Sequence, residues 1–97
     1  MKTKREEYEV LKELADGGFK YIDRDRDGDL YTFLEKPEKR KEVWISFDIH
    51  RLINKTELDF IKWEDEEPHN IAELIEEYED SKEYKDSLVI EYFMDKE

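Results

Sequence analysis

The chain has 97 residues, with 29 acidic and 17 basic side chains and a formal net charge of -12 at pH 7. This length allows one domain, residues 1–97, with a small core, and the lack of cysteine excludes disulfides and thiolate metal sites. The sequence has no apolar run typical of a membrane span or signal peptide, so we expect a cytoplasmic protein that does not bind membranes. The acidic excess argues against direct binding of nucleic acid.

The first predicted element is a helix over residues 3–16. Thr3 and Glu6 have the spacing of a capping box, in which each side chain accepts a hydrogen bond from the backbone of the other. The apolar residues of the helix share one face, which predicts packing against a core: Tyr8, Leu11, Leu14 and Ala15. Gly17 and Gly18 end the helix, because glycine adopts the left-handed backbone that closes a helix at little cost.

Residues 19–36 predict a β-hairpin at the centre of a sheet, because Asp27-Gly28 is a strong turn signal between two aromatic-rich runs. Two registers remain open. A two-residue turn places Ile22 opposite Phe33, whereas a three-residue turn shifts the pairing by one residue. The shifted register gives an aromatic face of Phe19, Tyr21, Tyr31 and Phe33 and an aliphatic face of Ile22, Leu30 and Leu34. The charged tip, residues 23–26, is expected to be exposed and available for recognition.

The same segment offers an alternative, an EF-hand-like calcium loop over residues 23–35. Asp23, Asp25 and Asp27 hold the first three ligand positions of such a loop. The glutamate that closes the site in an EF-hand is missing, because Leu34 stands in its place, and no helix fits between Gly18 and Asp23. The sequence therefore favours the hairpin, with no metal ion or other cofactor.

The middle of the chain predicts short strands. Alternation indicates a half-buried strand over residues 42–49, followed by a turn or one helical turn over 50–57 and another strand over 58–63. The faces of the first strand are Val43, Ile45 and Phe47 on one side and Trp44, Ser46 and Asp48 on the other. Aromatic side chains near Trp44 or Trp63 are expected to be exposed, where they would suit an interface.

A second helix is predicted over residues 70–80, since Asn70 and Glu73 repeat the capping-box spacing. Its apolar face is Ile71, Leu74, Ile75 and Tyr78. Residues 87–94 favour a last strand, with a helix as the second choice. Together these elements predict an α+β fold, in which a small antiparallel sheet of three to five strands packs with two helices.

The acidity is concentrated in residues 64–80, which hold nine acidic residues and no lysine or arginine. Like charges four residues apart cost a helix about 0.2–0.5 kcal/mol per pair, so an acidic stripe suggests a use beyond folding. A solvated, solubilising face is the simpler explanation. The candidate partner-binding residues are Glu64, Asp65, Glu66, Glu67, Glu73, Glu76, Glu77 and Asp80.

The sequence carries no catalytic signature. His50 and His69 lack metal-ligand spacing, and no serine stands in the setting of an activated nucleophile. No glycine remains for a phosphate-binding loop once the helix end and the turn are assigned. We therefore predict a protein that is not an enzyme.

Two motifs in order carry a resemblance over about residues 19–75. The first pairs a Tyr-Ile-x-Arg-Asp hairpin strand with a Gly-Asp-Leu-Tyr return strand and Lys-Pro, and the second is Trp-x-Asp-Glu-x-Pro before a helix. The matching residues are Tyr21, Ile22, Arg24, Asp25, Gly28, Asp29, Leu30, Tyr31, Lys36, Pro37, Trp63, Asp65, Glu66 and Pro68. The chain thus resembles small phage and prophage proteins of Gram-positive bacteria, although the link at residues 50–59 is longer and more charged. The group has no assigned activity, so the resemblance implies origin and cellular context.

The leading functional hypothesis is a non-catalytic accessory protein that binds a host or phage protein. The alternative is nucleic-acid mimicry, in which the acidic 64–80 face occupies the basic groove of a DNA-binding protein. A homodimer that shares apolar surface would enlarge the small core.

Overall fold

The computed structural model describes residues 3–86 and 88 and confirms the α+β fold. The elements in chain order are α1 (Lys4–Asp16), β1 (Tyr21–Arg24), β2 (Leu30–Phe33), β3 (Glu38–Lys39), β4 (Trp44–Ile45), β5 (His50–Ile53), β6 (His69–Asn70) and α2 (Ile71–Glu79). A further helical segment covers residues 82–86. The strand predicted over 87–94 lies outside the described residues, apart from Leu88, whose backbone is helical.

The predicted N-cap of α1 at Thr3 is confirmed. The Thr3 side chain accepts a hydrogen bond from the backbone N–H of Glu6 at 3.1 Å. At the other end Gly18 takes a left-handed backbone with φ of 92°, and the N–H of Phe19 donates to the carbonyl of Leu14 at 3.1 Å. These bonds satisfy backbone groups that a helix end leaves open and turn the chain into β1.

The main sheet is antiparallel, with the strand order β5-β2-β1-β6. Tyr21 pairs with Phe33 across the central hairpin, which is the register of the three-residue turn. The N–H of Asp25 donates to the carbonyl of Asp29 at 2.8 Å, so residues 26–28 form the turn. Gly28 has φ of 97°, a conformation that costs glycine little.

This register separates the two faces of the hairpin. Ile22 and Leu30 are fully buried on the aliphatic face, where α1 and α2 cover the sheet. Phe33 is buried on the opposite face, near the side where the small β3–β4 sheet approaches Tyr31. The core cluster is Leu11, Leu14, Ile22, Leu30, Leu58, Ile61 and Ile71.

The middle of the chain differs from the prediction. The strand expected over 42–49 is only two residues long, and the buried side chain is Trp44, whereas Val43, Ile45 and Phe47 are exposed. Residues 50–53 form β5, which pairs with β2, in place of the expected turn. Alternation located a strand correctly but could not tell which of its faces is buried.

The strand predicted over 58–63 is also wrong, because this segment consists of turns. Leu58 has a left-handed backbone with φ of 52°, and it buries its side chain together with Ile61. The side chain of Arg24 holds this segment against the hairpin, because its N–H groups donate to five backbone carbonyls. These carbonyls belong to Gly28, Lys55, Glu57, Leu58 and Ile61, at 2.7 to 3.2 Å.

Candidate functional site

An acidic groove lies beside α2 and the segment that leads into it. Its volume is about 660 Å³, and it contains seven of the eight candidate residues predicted from the sequence. Glu64 lies outside it and lines a different concavity. As far as the described chain shows, its lining has no lysine or arginine: Asp65, Glu66, Glu67, Pro68, His69, Asn70, Glu73, Leu74, Glu76, Glu77 and Asp80.

The cap of α2 fixes the orientation of the groove. The Asn70 side chain accepts a hydrogen bond from the N–H of Glu73 at 3.0 Å, as the capping spacing predicts. The N–H of Ile71 donates to the carbonyl of Lys20 at 2.9 Å, and the side chain of Ile71 is fully buried. Because the apolar side of α2 is anchored in this way, the opposite side turns its carboxylates into the groove.

His69 holds the first part of the groove in place. Its Nδ1 lies 3.2 Å from Oδ1 of Asp23, and its Nε2 lies 3.2 Å from Oδ2 of Asp65. The same oxygen of Asp23 accepts the backbone N–H of His69 at 3.1 Å. One signal in the sequence could have indicated this bridge, a histidine four residues after Asp65 inside an acidic run.

Burial and hydrogen bonding act on this bridge together. Hydrogen bonding to Asp23 raises the pKa of His69, while burial raises the pKa of Asp23 against the opposing effect of the same bond. The second oxygen of Asp23, Oδ2, is buried without a hydrogen-bond partner among the residues described. With both ring nitrogens facing carboxylates, His69 links the edge of the sheet to the rim of the groove.

The other groove carboxylates differ from Asp65 in their hydrogen bonding. Asp65 is engaged by His69 and by the N–H of Lys62, at 3.0 Å. The remaining six make no side-chain hydrogen bond or ion pair with any residue that the structure describes: Glu66, Glu67, Glu73, Glu76, Glu77 and Asp80. Such a surface attracts cationic groups, and its long-range field accelerates their association.

The candidate calcium ligands point in different directions. Asp23 faces His69, Oδ1 of Asp25 accepts the N–H of Trp44 at 2.9 Å, and Oδ1 of Asp27 accepts the N–H of Asp29 at 2.9 Å. Within residues 3–86 and 88, no group of three or more acidic or histidine side chains is placed to hold a metal ion. The hydrogen bonds of these aspartates instead tie the hairpin to β6, to β4 and to its own turn.

The expectation that the hairpin tip is free for recognition is wrong for two of its acids. Asp23 is 1% exposed and Asp25 is 6% exposed. Arg24 is half-buried and fully occupied by backbone carbonyls, which leaves Arg26 as the exposed member of residues 23–26. The tip is therefore an internal junction between the hairpin and its neighbours.

The two tryptophans flank a lysine. Lys39 Nζ lies 4.2 Å from the ring centroid of Trp63 and 5.8 Å from that of Trp44, distances typical of cation–π contacts. It also donates to the carbonyls of Trp63 and Asp65, at 2.6 and 3.2 Å. Trp44 is buried and Trp63 half-buried, whereas the exposed aromatic side chains near them in sequence are Phe47 and Phe60. Lys39 instead fastens the start of the acidic segment to β3.

Comparison of the chain with protein-family models, with curated proteins and with solved structures finds no match. Among the residues described, no helix combines the length and the apolar character needed to cross a membrane.

Proposed function

We propose that this protein is a non-catalytic binding protein whose acidic groove receives a basic surface of a protein partner. The observation that carries the proposal is that six carboxylates without a described hydrogen bond or ion pair line one concavity. No described lysine or arginine in the lining offsets them. A solubilising face would need acidic residues on the surface, but it would not need them around a shared concavity.

The geometry of the groove supports binding over catalysis. Its histidine has both ring nitrogens directed at carboxylates, which favours the protonated imidazole and weakens it as a general base. None of the groove side chains in the described chain is a serine, threonine, cysteine or lysine that His69 would activate. By resemblance to phage and prophage proteins, we place this activity in the cytoplasm of a bacterial host.

The spacing of charges on α2 favours a second candidate, mimicry of nucleic acid. Four carboxylates lie on the groove side of α2 and its C-cap, from Glu73 to Asp80. At a rise of about 1.5 Å per residue, they present one charge per roughly 3.5 Å of axis. One strand of duplex DNA carries one phosphate per about 3.4 Å. The mean charge per length of axis on this side of α2 is therefore similar to that of one DNA strand.

Fluorescence anisotropy with a labelled arginine-rich helical peptide tests the binding proposal. We expect wild-type binding to weaken as salt rises, and E76K/E77K to weaken it at least about tenfold at low salt, equivalent to about 1.4 kcal/mol. The control is E13K/D16K, which changes the net charge equally on exposed positions of α1. Equal losses in the two variants, or binding that salt does not change, would contradict a groove-specific site.

A competition assay separates mimicry from general binding of basic proteins. The arginine-rich peptide is first bound to a labelled DNA duplex, and the protein is then added. Mimicry predicts that wild-type protein releases the duplex and that E76K/E77K does not. Peptide binding without release of DNA would reject mimicry and leave the binding proposal standing.

A further inference from the structure

β5 forms an open edge of the main sheet, since the strand order is β5-β2-β1-β6. The N–H of Leu34 donates to the carbonyl of Ile49 at 3.4 Å, so Ile49 and every second residue after it turn their backbone groups toward β2. His50 and Leu52 consequently direct their N–H and C=O groups outward. No strand in the described part of the chain pairs with this outer edge. It is a template for a further strand.

Exposed apolar side chains accompany this edge. Phe47 is fully exposed, and Leu52 is 57% exposed. Val43, Ile45 and Ile49 are exposed on the same segment, residues 43–53. Together the five side chains expose on the order of 500 Å² of apolar surface, distributed along residues 43–53. A stable interface buries about 800 Å² per partner, so this apolar surface and the strand edge together approach that size.

The charge of this segment suits a second copy of the chain. Residues 43–53 contain one acidic and one basic side chain, Asp48 and Arg51, so the edge is locally neutral in a chain of net charge -12. The acidic groove adjoins β6, at the opposite edge of the sheet. Three strand spacings of about 4.8 Å separate the two edges, which exceeds the Debye length of about 8 Å at physiological salt. Two copies joined at β5 would therefore keep their acidic grooves far apart.

We propose that β5 pairs antiparallel with β5 of a second copy about a two-fold axis. A two-fold contact places the same surface of both copies face to face. A neutral, apolar edge suits such a contact, because it does not repel an identical edge. The two four-stranded sheets join into one of eight strands, and Phe47 and Leu52 become buried in the contact. The dimer presents two acidic grooves at its far ends. This surface is independent of the groove, and either proposal stands if the other fails.

Sedimentation velocity of the full chain, from low-micromolar to near-millimolar concentration, tests the dimer. We expect a concentration-dependent dimer in the wild type. Leu52→Lys should raise its dissociation constant at least about tenfold, since it replaces a buried apolar contact by a charge at the strand edge. The matched control is Leu88→Lys, which makes the same change at another exposed leucine and should leave the dimer intact.

Phe47→Ala is a second test, because a fully exposed side chain can be shortened without loss of folding. Circular dichroism verifies that each variant is folded, and we expect Phe47→Ala to weaken the dimer while its thermal unfolding as a monomer is unchanged. A wild-type chain that remains monomeric throughout overturns the proposal and leaves the edge to a strand of another protein. A dimer that neither substitution weakens also overturns it.

Discussion

The hairpin tip and the acidic groove both contain clustered acidic side chains, but the two clusters differ in their hydrogen bonding. Both are rich in aspartate or glutamate, and both were candidate sites in the sequence. In the tip, Asp23 and Asp25 are buried and accept hydrogen bonds from the backbone of β6 and β4. In the groove, six carboxylates line a concavity and make no side-chain hydrogen bond or ion pair with other described residues. The two acidic clusters therefore differ in their hydrogen-bond donors: the tip carboxylates accept backbone N–H groups, whereas six groove carboxylates have no donor among the described residues.

Backbone donors explain the difference. A buried carboxylate is tolerated when it accepts hydrogen bonds, and the hairpin lies where two further strands bring N–H groups to it. α2 offers no such donors along its side, because its backbone N–H groups are used within the helix. Carboxylates on that side remain solvated unless a partner supplies cations.

The largest effect should come from Arg24, at the centre of the hairpin junction. Arg24→Ala removes donors from five backbone carbonyls and should lower the free energy of unfolding by on the order of 3 kcal/mol. Arg26→Ala, at the exposed neighbour, should change it by less than about 0.5 kcal/mol. Urea unfolding measures both, and similar losses would show that the tip is not a junction.

A smaller loss is expected when one tip acid is compared with one groove acid. Asp25→Ala should cost about 1–2 kcal/mol, because the N–H of Trp44 is left buried without its acceptor. Asp25→Asn keeps an acceptor oxygen and should cost less. Glu66→Ala should stay within about 0.5 kcal/mol, since Glu66 is exposed and has no described partner. Chemical denaturation distinguishes these outcomes. An equally large loss of stability in Glu66→Ala would contradict the distinction between buried tip acids and solvated groove acids.

The bridge between the two regions should make stability depend on pH through His69. Hydrogen bonding to Asp23 raises the pKa of His69 above its ordinary 6.5, so the folded state binds this proton more tightly than the unfolded chain. Its contribution is complete below the unfolded pKa and is lost as pH rises through the folded pKa. We expect the free energy of unfolding to fall as the pH rises above the ordinary histidine pKa of 6.5.

Denaturant titrations of His69→Gln test that assignment, since the substitution should flatten the fall. His50→Gln, which replaces an exposed imidazole outside the bridge, is the matched control. A profile that His69→Gln does not change would assign the dependence to other groups.

The smallest effect has the opposite sign. E76Q/E77Q removes like-charge contacts with Glu73 and Asp80 and should raise the free energy of unfolding by on the order of 0.5 kcal/mol. The gain should shrink at high salt, where surface charges are screened. Thermal unfolding at low and high salt measures it, and a loss of stability at low salt would mean that these carboxylates have a structural role.

The sequence located what depends on local chemistry. Thr3 and Asn70 cap their helices as their spacing indicates, and Asp27-Gly28 forms the turn of the hairpin. Acidic residues on one side of α2 lie together because helical periodicity places them there. Contacts between residues that are distant in sequence could not be predicted from local patterns. The environment of Trp44 depends on Asp25, and the turns at 58–61 depend on Arg24.

The hairpin acids illustrate the same limit. Asp23, Asp25 and Asp27 occupy every second position, as the ligands of a calcium loop do. Side chains at every second position share one face only where the strand is regular. Asp23 lies within β1, Asp25 lies between β1 and the turn, and Asp27 lies in the turn, so their oxygens separate. That separation depends on the strand ends, which the sequence did not define.

Backbone amide NMR during titration with the arginine-rich peptide tests the central division most directly. The account predicts that shift changes concentrate in residues 65–80, along the groove, and that amides of residues 23–29 stay unchanged. Shift changes centred on residues 23–29, with the groove unaffected, would contradict it.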